Sequence, residues 1–511
     1  MFRIMKVASV VMVSLLAHTL TAAIEIGWGE ADVTPPFTKK VPLDGQYYQR
    51  IAKGIHTPVC FVAVAFRNGD EYFLTGSIDN VSVRDVWVEQ VRAELAKRLP
   101  EVDVSRVSIN CVHTHCAPMI GSVGSLLPEA SRKRDTKDEL WDIEAYSQFV
   151  TPRVVDALEK AWRSLKPGAI ARAKGVADVG HCRIAMYRDG HGEMYGDTSR
   201  PDFAGMSDGE DPNVEMIFTY DAKGRKTGAI FNVACPAQVM EATYLISGDI
   251  AGVLREKMRK LYGDDFHVIY QPAAAGCQSP RDLVRGYKDA LTDGWHADTC
   301  DLLASRLAKC AQEAKVYPQE KNPVVKHMTF KVTAPRRKVT KEELEAAKKE
   351  LAQILSKKTE EELFKDFLSY TRANEAKGGP GPYDSKYLPF VFADVAKAVI
   401  ARSEDQVVKP NLEFEVNAMR LGDAAFVTCP FELYLIYGQI IKARSAAKQT
   451  FVMELCNGDY GYIPSEAVVK SRSYGSGVNN GELGPDGGYV YCDKAVEAIK
   501  ALFEHGCSSK R

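Results

Sequence analysis

Residues 60–116 read CFVAVAFRNGDEYFLTGSIDNVSVRDVWVEQVRAELAKRLPEVDVSRVSINCVHTHC. Two apolar runs, Cys60–Phe66 and Tyr72–Ile78, flank Asn68-Gly69-Asp70. An Asn-Gly turn matches strand twist, so the pair reads as a hairpin. Val83–Leu99 has apolar residues at helical spacing, and Arg106–Val112 is again a short apolar strand. Strand, strand, helix, strand is the grammar of an α/β fold with buried strands.

The pattern continues outward. Ile143–Leu165 reads as a helix. Val214–Tyr220 and Gly228–Ala234 read as strands around Asp221–Gly224, and Ile250–Tyr262 as a helix before the strand Phe266–Tyr270. Residues 336–405 differ: Thr340 with Glu343 forms a capping box that opens a charged helix, so this block reads as a helical insertion. It is either surface decoration or a substrate-selecting lid. Asn411–Met419, Ala424–Thr428 and Thr450–Leu455 read as strands, with a helix from about Glu432 to Arg444. Residues 457–490 read as one long Gly-, Asn- and Ser-rich loop before a last helix, Asp493–His505. The expected fold class is α/β, with mixed β-sheets flanked by helices.

Composition narrows the function. The 511 residues carry 66 Lys+Arg and 67 Asp+Glu, a net charge of -1, so no basic field exists to hold nucleic acid. Arg3 and Lys6 precede an apolar run, Val7 to Leu20, with Thr21, Ala22 and Ala23 behind it. That is the order of a secretory signal peptide. The expectation is removal of residues 1–23, a mature chain from Ile24 without a transmembrane span, and a secreted or periplasmic location. The twelve cysteines are thinly spread, and a chain of this size needs no disulfide framework.

Five motifs stand at or just past expected strand ends, where open α/β sheets place their sites. His113-Thr-His115 puts two imidazoles on one side of a strand, which suits metal ligation, acid–base work or simple hydrogen bonding. Cys235-Pro-Ala-Gln-Val-Met240 precedes Ile246-Ser-Gly-Asp249; the cysteine is a buried hydrophobe or a thiolate ligand. Gln271 to Arg281 is rich in small residues and contains Ser279, a nucleophile or a turn residue. Cys429-Pro-Phe-Glu432 offers a carboxylate in a first helical turn, either structural or aimed into a site. Asn457 to Pro464 offers Tyr460 and Tyr462, with Tyr474 further along.

With these residues in view, the chain resembles the N-terminal catalytic domain of the neutral/alkaline (non-lysosomal) ceramidases. Ile26 to Pro35 resembles the family's "G-x-A-D-x-T" strand, and His113 to Pro118 its "THTHSGP". Leu245 to Asp249 resembles "ISGD", and Ala273 to Pro280 "GAAGDVSP". Pro430 to Glu432 with Asn457 to Tyr462 resembles "PGE" and "N-x-Y-x-x-Y". The resemblance implies a zinc-dependent hydrolase that cleaves the amide of an N-acyl sphingoid lipid. It implies His113, Glu432 and Tyr462 as zinc ligands, and His115 as acid–base beside the metal. Tyr474 and Arg183 would stabilise the oxyanion, and Ser279 matches a serine considered as nucleophile. The family's second histidine ligand falls at Cys235 or Pro236, so either Cys235 replaces it as a thiolate ligand or the metal site is altered or lost; its "GDVSP" aspartate is Cys277. The chain ends where the family's C-terminal β-sandwich would begin, so no such domain is expected. Two alternatives stand beside the amidohydrolase: a related hydrolase of a carbohydrate or other polar substrate, and a non-catalytic binding protein on the same scaffold.

Overall fold

The computed structural model of the chain describes residues 23–46, 50–121, 140–285, 295–376 and 388–504. The candidate signal peptide lies outside the described residues but for Ala23.

Strand β1 (Glu25–Asp32) pairs antiparallel with β2 (Cys60–Asn68), which turns through Gly69 and Asp70 into β3 (Glu71–Ile78). Helix α1 (Asp85–Arg98) carries the chain to β4 (Val107–Cys111), parallel to β3. Helix α2 (Ile143–Arg163) returns it to β5 (Lys166–Val176). β6 (Asn213–Asp221) and β7 (Lys226–Val233) form a second hairpin, and α3 (Asp249–Tyr262) crosses over to β8 (His267–Pro272), parallel to β7. The large sheet runs β8-β7-β6-β5-β1-β2-β3-β4, with a short strand, Lys315–Val316, added beside β5.

After α4 (Trp295–Glu313), β9 (Val325–Pro335) enters a second sheet. Helices α5 (Lys341–Leu355), α6 (Glu360–Ala376) and α7 (Pro389–Val408) separate it in sequence from β10 (Asn411–Leu421), yet the two strands pair from Val325↔Leu421 to Pro335↔Asn411. β11 (Ala424–Thr428), α8 (Leu435–Arg444), β12 (Gln449–Met453) and α9 (Pro485–Phe503) complete the chain. The order is β9-β10-β11-β12, with β11 parallel to β12.

Period-two alternation sorts the side chains into layers. On β2, Phe61, Ala63 and Ala65 pack with Trp87 and Val91 of α1 and Val154 of α2. Val62, Val64 and Phe66 face the other way, into a cluster with Phe426 and Phe451 of the second sheet. The two sheets therefore lie face to face. Beyond the second sheet, Tyr437 and Ile441 of α8 and Tyr491 and Ile499 of α9 cover Val416 and Val427. The layers run helices, large sheet, small sheet, helices. Each fully buried aromatic between the sheets contributes about 1.5–3 kcal/mol. Gly29 fixes how closely α2 sits on β1: a Cβ there would lie 1.9 Å from the Ala157 carbonyl oxygen.

The capping box forms: Thr340 Oγ1 accepts from the Glu343 N–H (3.1 Å), and a Glu343 carboxylate oxygen accepts from the Thr340 N–H (2.9 Å). Arg336 at the end of β9 and Arg402 of α7 both pair with Glu482 (2.6 and 2.7 Å). Glu482 in turn donates its N–H to the Tyr460 carbonyl, so the helices α5–α7 are tied to the loop that carries Tyr462.

Two elements differ from expectation. The helix read from Glu432 begins at Leu435, because Glu432–Leu433 forms a short strand parallel to Tyr462–Ile463. Glu432 N–H bonds to the Gly461 carbonyl (2.9 Å), and this tertiary pairing displaces the helical turn. The last helix starts at Pro485, not Asp493, with proline in its first turn. Gly487 and Gly488 lower its intrinsic propensity and made that stretch read as loop. A short helix, Glu466–Lys470, also lies inside the expected loop.

Candidate active site

Parallel strand pairs in both sheets aim their C-terminal ends at one region. β4 ends two residues before His113, which takes a φ of 68°. A non-glycine residue in that region costs about 1–3 kcal/mol, so it is held in place by its surroundings. His113 Nδ1 lies 2.8 Å from the Val81 carbonyl oxygen and so carries a proton. Its Nε2 points to His115 Nε2 (3.3 Å) and Glu432 Oε2 (3.4 Å). Both histidines are buried. Burial, aided by the nearby Arg50 and Arg183 cations, holds the His115 imidazole well below its usual range, so it is neutral.

The second sheet supplies the opposite wall. Glu432 and Tyr462, neighbours in register on their short strands, also join through their side chains. Arg183 donates to the Tyr462 hydroxyl (3.1 Å) and the Gly276 carbonyl (2.9 Å), and stands 3.9 Å from Glu432 Oε2. Its guanidinium lies 5.8 Å from the centroids of both the Tyr462 and Tyr474 rings, which meet edge to face at 5.5 Å. Burial pushes the Glu432 carboxyl up and the Tyr462 phenol well above their ordinary ranges, against the pull of Arg183. Glu454 is buried beside Glu432; one of its oxygens accepts from Ala275 and Leu433 N–H (3.1 Å each) and so ties the loop after β8 to that after β11.

Six of the expected residues thus stand together: His113, His115, Arg183, Glu432, Tyr462 and Tyr474. Cys235 does not join them. Its Sγ donates to the Val179 carbonyl (3.1 Å), it packs in the core between β7 and α3, and burial pushes its thiol well above the ordinary value. The geometry gives no support to a thiolate ligand there. Gln238, three residues on, reaches the site instead, with its amide nitrogen 3.0 Å from His115 Nε2. Asp249 explains how: its two carboxylate oxygens accept from the Val239 (3.1 Å) and Met240 (2.6 Å) N–H groups and fix that loop. Ser279 lies on a short strand beside His181–Cys182, its hydroxyl 3.4 Å from the Tyr195 hydroxyl and accepting from Arg281 N–H (3.3 Å). Among the described residues, no imidazole or carboxylate hydrogen-bonds to it as a base.

Sequence reading missed Gln238, Glu241 and Arg281. The available signal was Glu241, the one charged residue in the stretch from Cys235 to Ile246.

Imidazole nitrogen, carboxylate oxygen and phenol oxygen form a donor set that zinc accepts, and three protein donors with one open position is the catalytic pattern. The His113 tautomer suits it, since the backbone-bonded Nδ1 orients Nε2 as the donor atom. A separate three-donor set, Asp178, His181 and Glu210, also brings its ligand atoms within 4.8 Å of one another. There Asp178 already pairs with Arg285 at 2.8 Å. Among the described residues, no helix is long and apolar enough to cross a membrane, and the cysteines are free.

No family model and no curated protein matches the sequence. Solved structures do. Neutral ceramidase from Pseudomonas aeruginosa aligns with a TM-score of 0.63 and 17% identity over 94% of this chain and 74% of that one. A ceramidase complexed with C2 aligns with a TM-score of 0.63 and 17% identity over 94% and 75%. The fold, mixed α/β sheets with flanking helices, is that of neutral ceramidase.

Proposed function

We propose that the chain is a metal-assisted hydrolase of amide bonds in N-acyl compounds, exported as its leader-like N-terminus implies. The observation that carries this reading is the meeting of His113, His115, Arg183, Glu432 and Tyr462 at strand ends from two sheets. The likeness of fold to neutral ceramidase supports it.

His113, Glu432 and Tyr462 would hold zinc, with Cys235 left in the core. Bound zinc lowers the pKa of water to about 7 and polarises an acyl oxygen. His115 Nε2, with its lone pair turned inward, accepts a proton and later returns one to the leaving amine. Arg183, fixed by Tyr462 and Gly276, sets a cation where the carbonyl oxygen becomes negative, and Tyr474 adds a phenol beside it. Ser279, with no base among the described residues, is assigned a structural part.

A second reading has its own support. His113, His115, Arg183 and Tyr462 are each no more than 8% exposed, while Glu432 and Tyr474 are half-buried at its edge, so the site is polar and largely enclosed, which favours a small polar acylated substrate over a bulky lipid. The test is a hydrolysis screen of N-acyl sphingoids and other N-acyl lipids against N-acylated and O-acylated sugars, with and without chelator. Amide cleavage that stops with chelator and returns with zinc is expected. Cleavage of sugar esters alone would replace the amidase reading, and chelator-insensitive turnover would remove the metal.

A further inference from the structure

Glu241 lies in the loop that Asp249 holds, three residues beyond Gln238. It is 1% exposed, and among the described residues neither carboxylate oxygen receives a hydrogen bond of ordinary geometry. Two groups face it. An Arg281 guanidinium nitrogen lies 2.9 Å from Oε1, and His115 Nδ1 lies 3.7 Å from Oε2. His115 Nδ1 also makes no hydrogen bond of ordinary geometry among the described residues; it lies against Gly45, whose backbone is its other polar neighbour and where a Cβ would come within 2.5 Å of it.

A buried carboxylate needs partners. Arg281 supplies the charge at one oxygen, and the other is left to the imidazole. An acceptor facing Nδ1 keeps the proton there and leaves the lone pair on Nε2. Gln238 agrees with that tautomer, because its amide nitrogen donates toward Nε2. Carboxylate, imidazole and reacting centre in this order hold a general base in its working orientation. The contact closes with a shift of under about 1 Å, the kind of tightening that substrate binding brings.

We infer that Glu241, itself anchored by Arg281, is the positioning residue that holds His115 as the Nδ1–H tautomer with Nε2 turned to the reacting atoms. The inference rests on the hydrolase reading for its kinetic consequence, but not for its geometry. In Glu241→Gln the amide oxygen stays with Arg281 and the NH2 turns to His115, which drives the proton from Nδ1 to Nε2.

The test is nitrogen-15 NMR of the histidines in the full metal-free chain, with kinetics on whichever N-acyl substrate the screen finds. Wild type should show His115 protonated at Nδ1. Glu241→Gln should show it at Nε2, with kcat lower by about 10²–10⁴-fold, KM within about threefold, and Glu241→Asp partly restoring kcat. A tautomer switch in a chain that hydrolyses no amide supports the positioning and overturns the hydrolase reading. An Nε2–H form in wild type overturns the positioning even if no variant folds, and so does wild-type kcat in Glu241→Gln.

Discussion

The Nε2 atoms of His113 and His115 face each other at 3.3 Å, with the rings inclined at 79°. The Val81 carbonyl faces Nδ1 of His113 and so turns its Nε2 toward His115 and the Glu432 carboxylate. Two imidazole nitrogens beside a carboxylate oxygen suit a shared cation or proton.

Replacing His113 with Ala should abolish metal binding and turnover together. Cys235→Ala should retain about one zinc per chain and cost only about 1 kcal/mol of stability, since it empties a small core position. Metal analysis after gel filtration, with urea unfolding of both variants, checks the pair of outcomes. Metal lost from Cys235→Ala would return the sulfur to the donor set.

Arg183→Met should lower kcat by about 10²–10³-fold, the loss expected when one preorganised donor to an oxyanion is removed, with little change in KM. Arg183→Lys should recover little, because an ammonium cannot span Tyr462 and Gly276 as the fork does. Steady-state kinetics decides this, and equal falls in kcat and structure by circular dichroism would point to misfolding instead.

Acid stability should depend on Glu30. Burial pushes its carboxyl up, but hydrogen bonds from His267 and Arg259 outweigh burial and hold it at about 2 against an ordinary 4.5. A carboxyl whose folded pKa is depressed stabilises the fold above its unfolded value. The contribution is whole above about pH 4.5 and fades as pH falls toward 2. Its size is on the order of 3 kcal/mol. Glu30→Gln should flatten that limb of a stability–pH curve measured by urea unfolding.

Arg255 and Asp79 form an ion pair in the interior, where Asp79 also accepts from the Cys60 N–H (2.9 Å). Arg255→Met should cost about 3–5 kcal/mol, because it leaves a carboxylate buried without its cation. Adding Asp79→Asn should restore much of the loss, and a double-mutant cycle by thermal unfolding measures it. Equal instability in single and double variants would deny the coupling.

Much of this was legible in the chain. Asn68-Gly69 announced the first hairpin, and every chemical motif was found at a strand end. What escaped depended on tertiary partners. β5 is rich in Ala, Lys and Arg, a composition poor in strand propensity, and becomes a strand because β1 and β6 pair on both its sides. Glu432 looked like a helix opener until Gly461 and Tyr462 came alongside. Cys235 aligned with a ligand by sequence order, but the chain buries its sulfur and presents Gln238 from the next turn.

His113 and His115 hang from the large sheet, whereas Glu432, Tyr462 and Tyr474 hang from the small one. Neither layer owns the chemistry, so no excised half of the molecule can perform it. An ion gripped by both would act as a rivet through the sandwich, making resistance to denaturation rise with metal concentration by mass action.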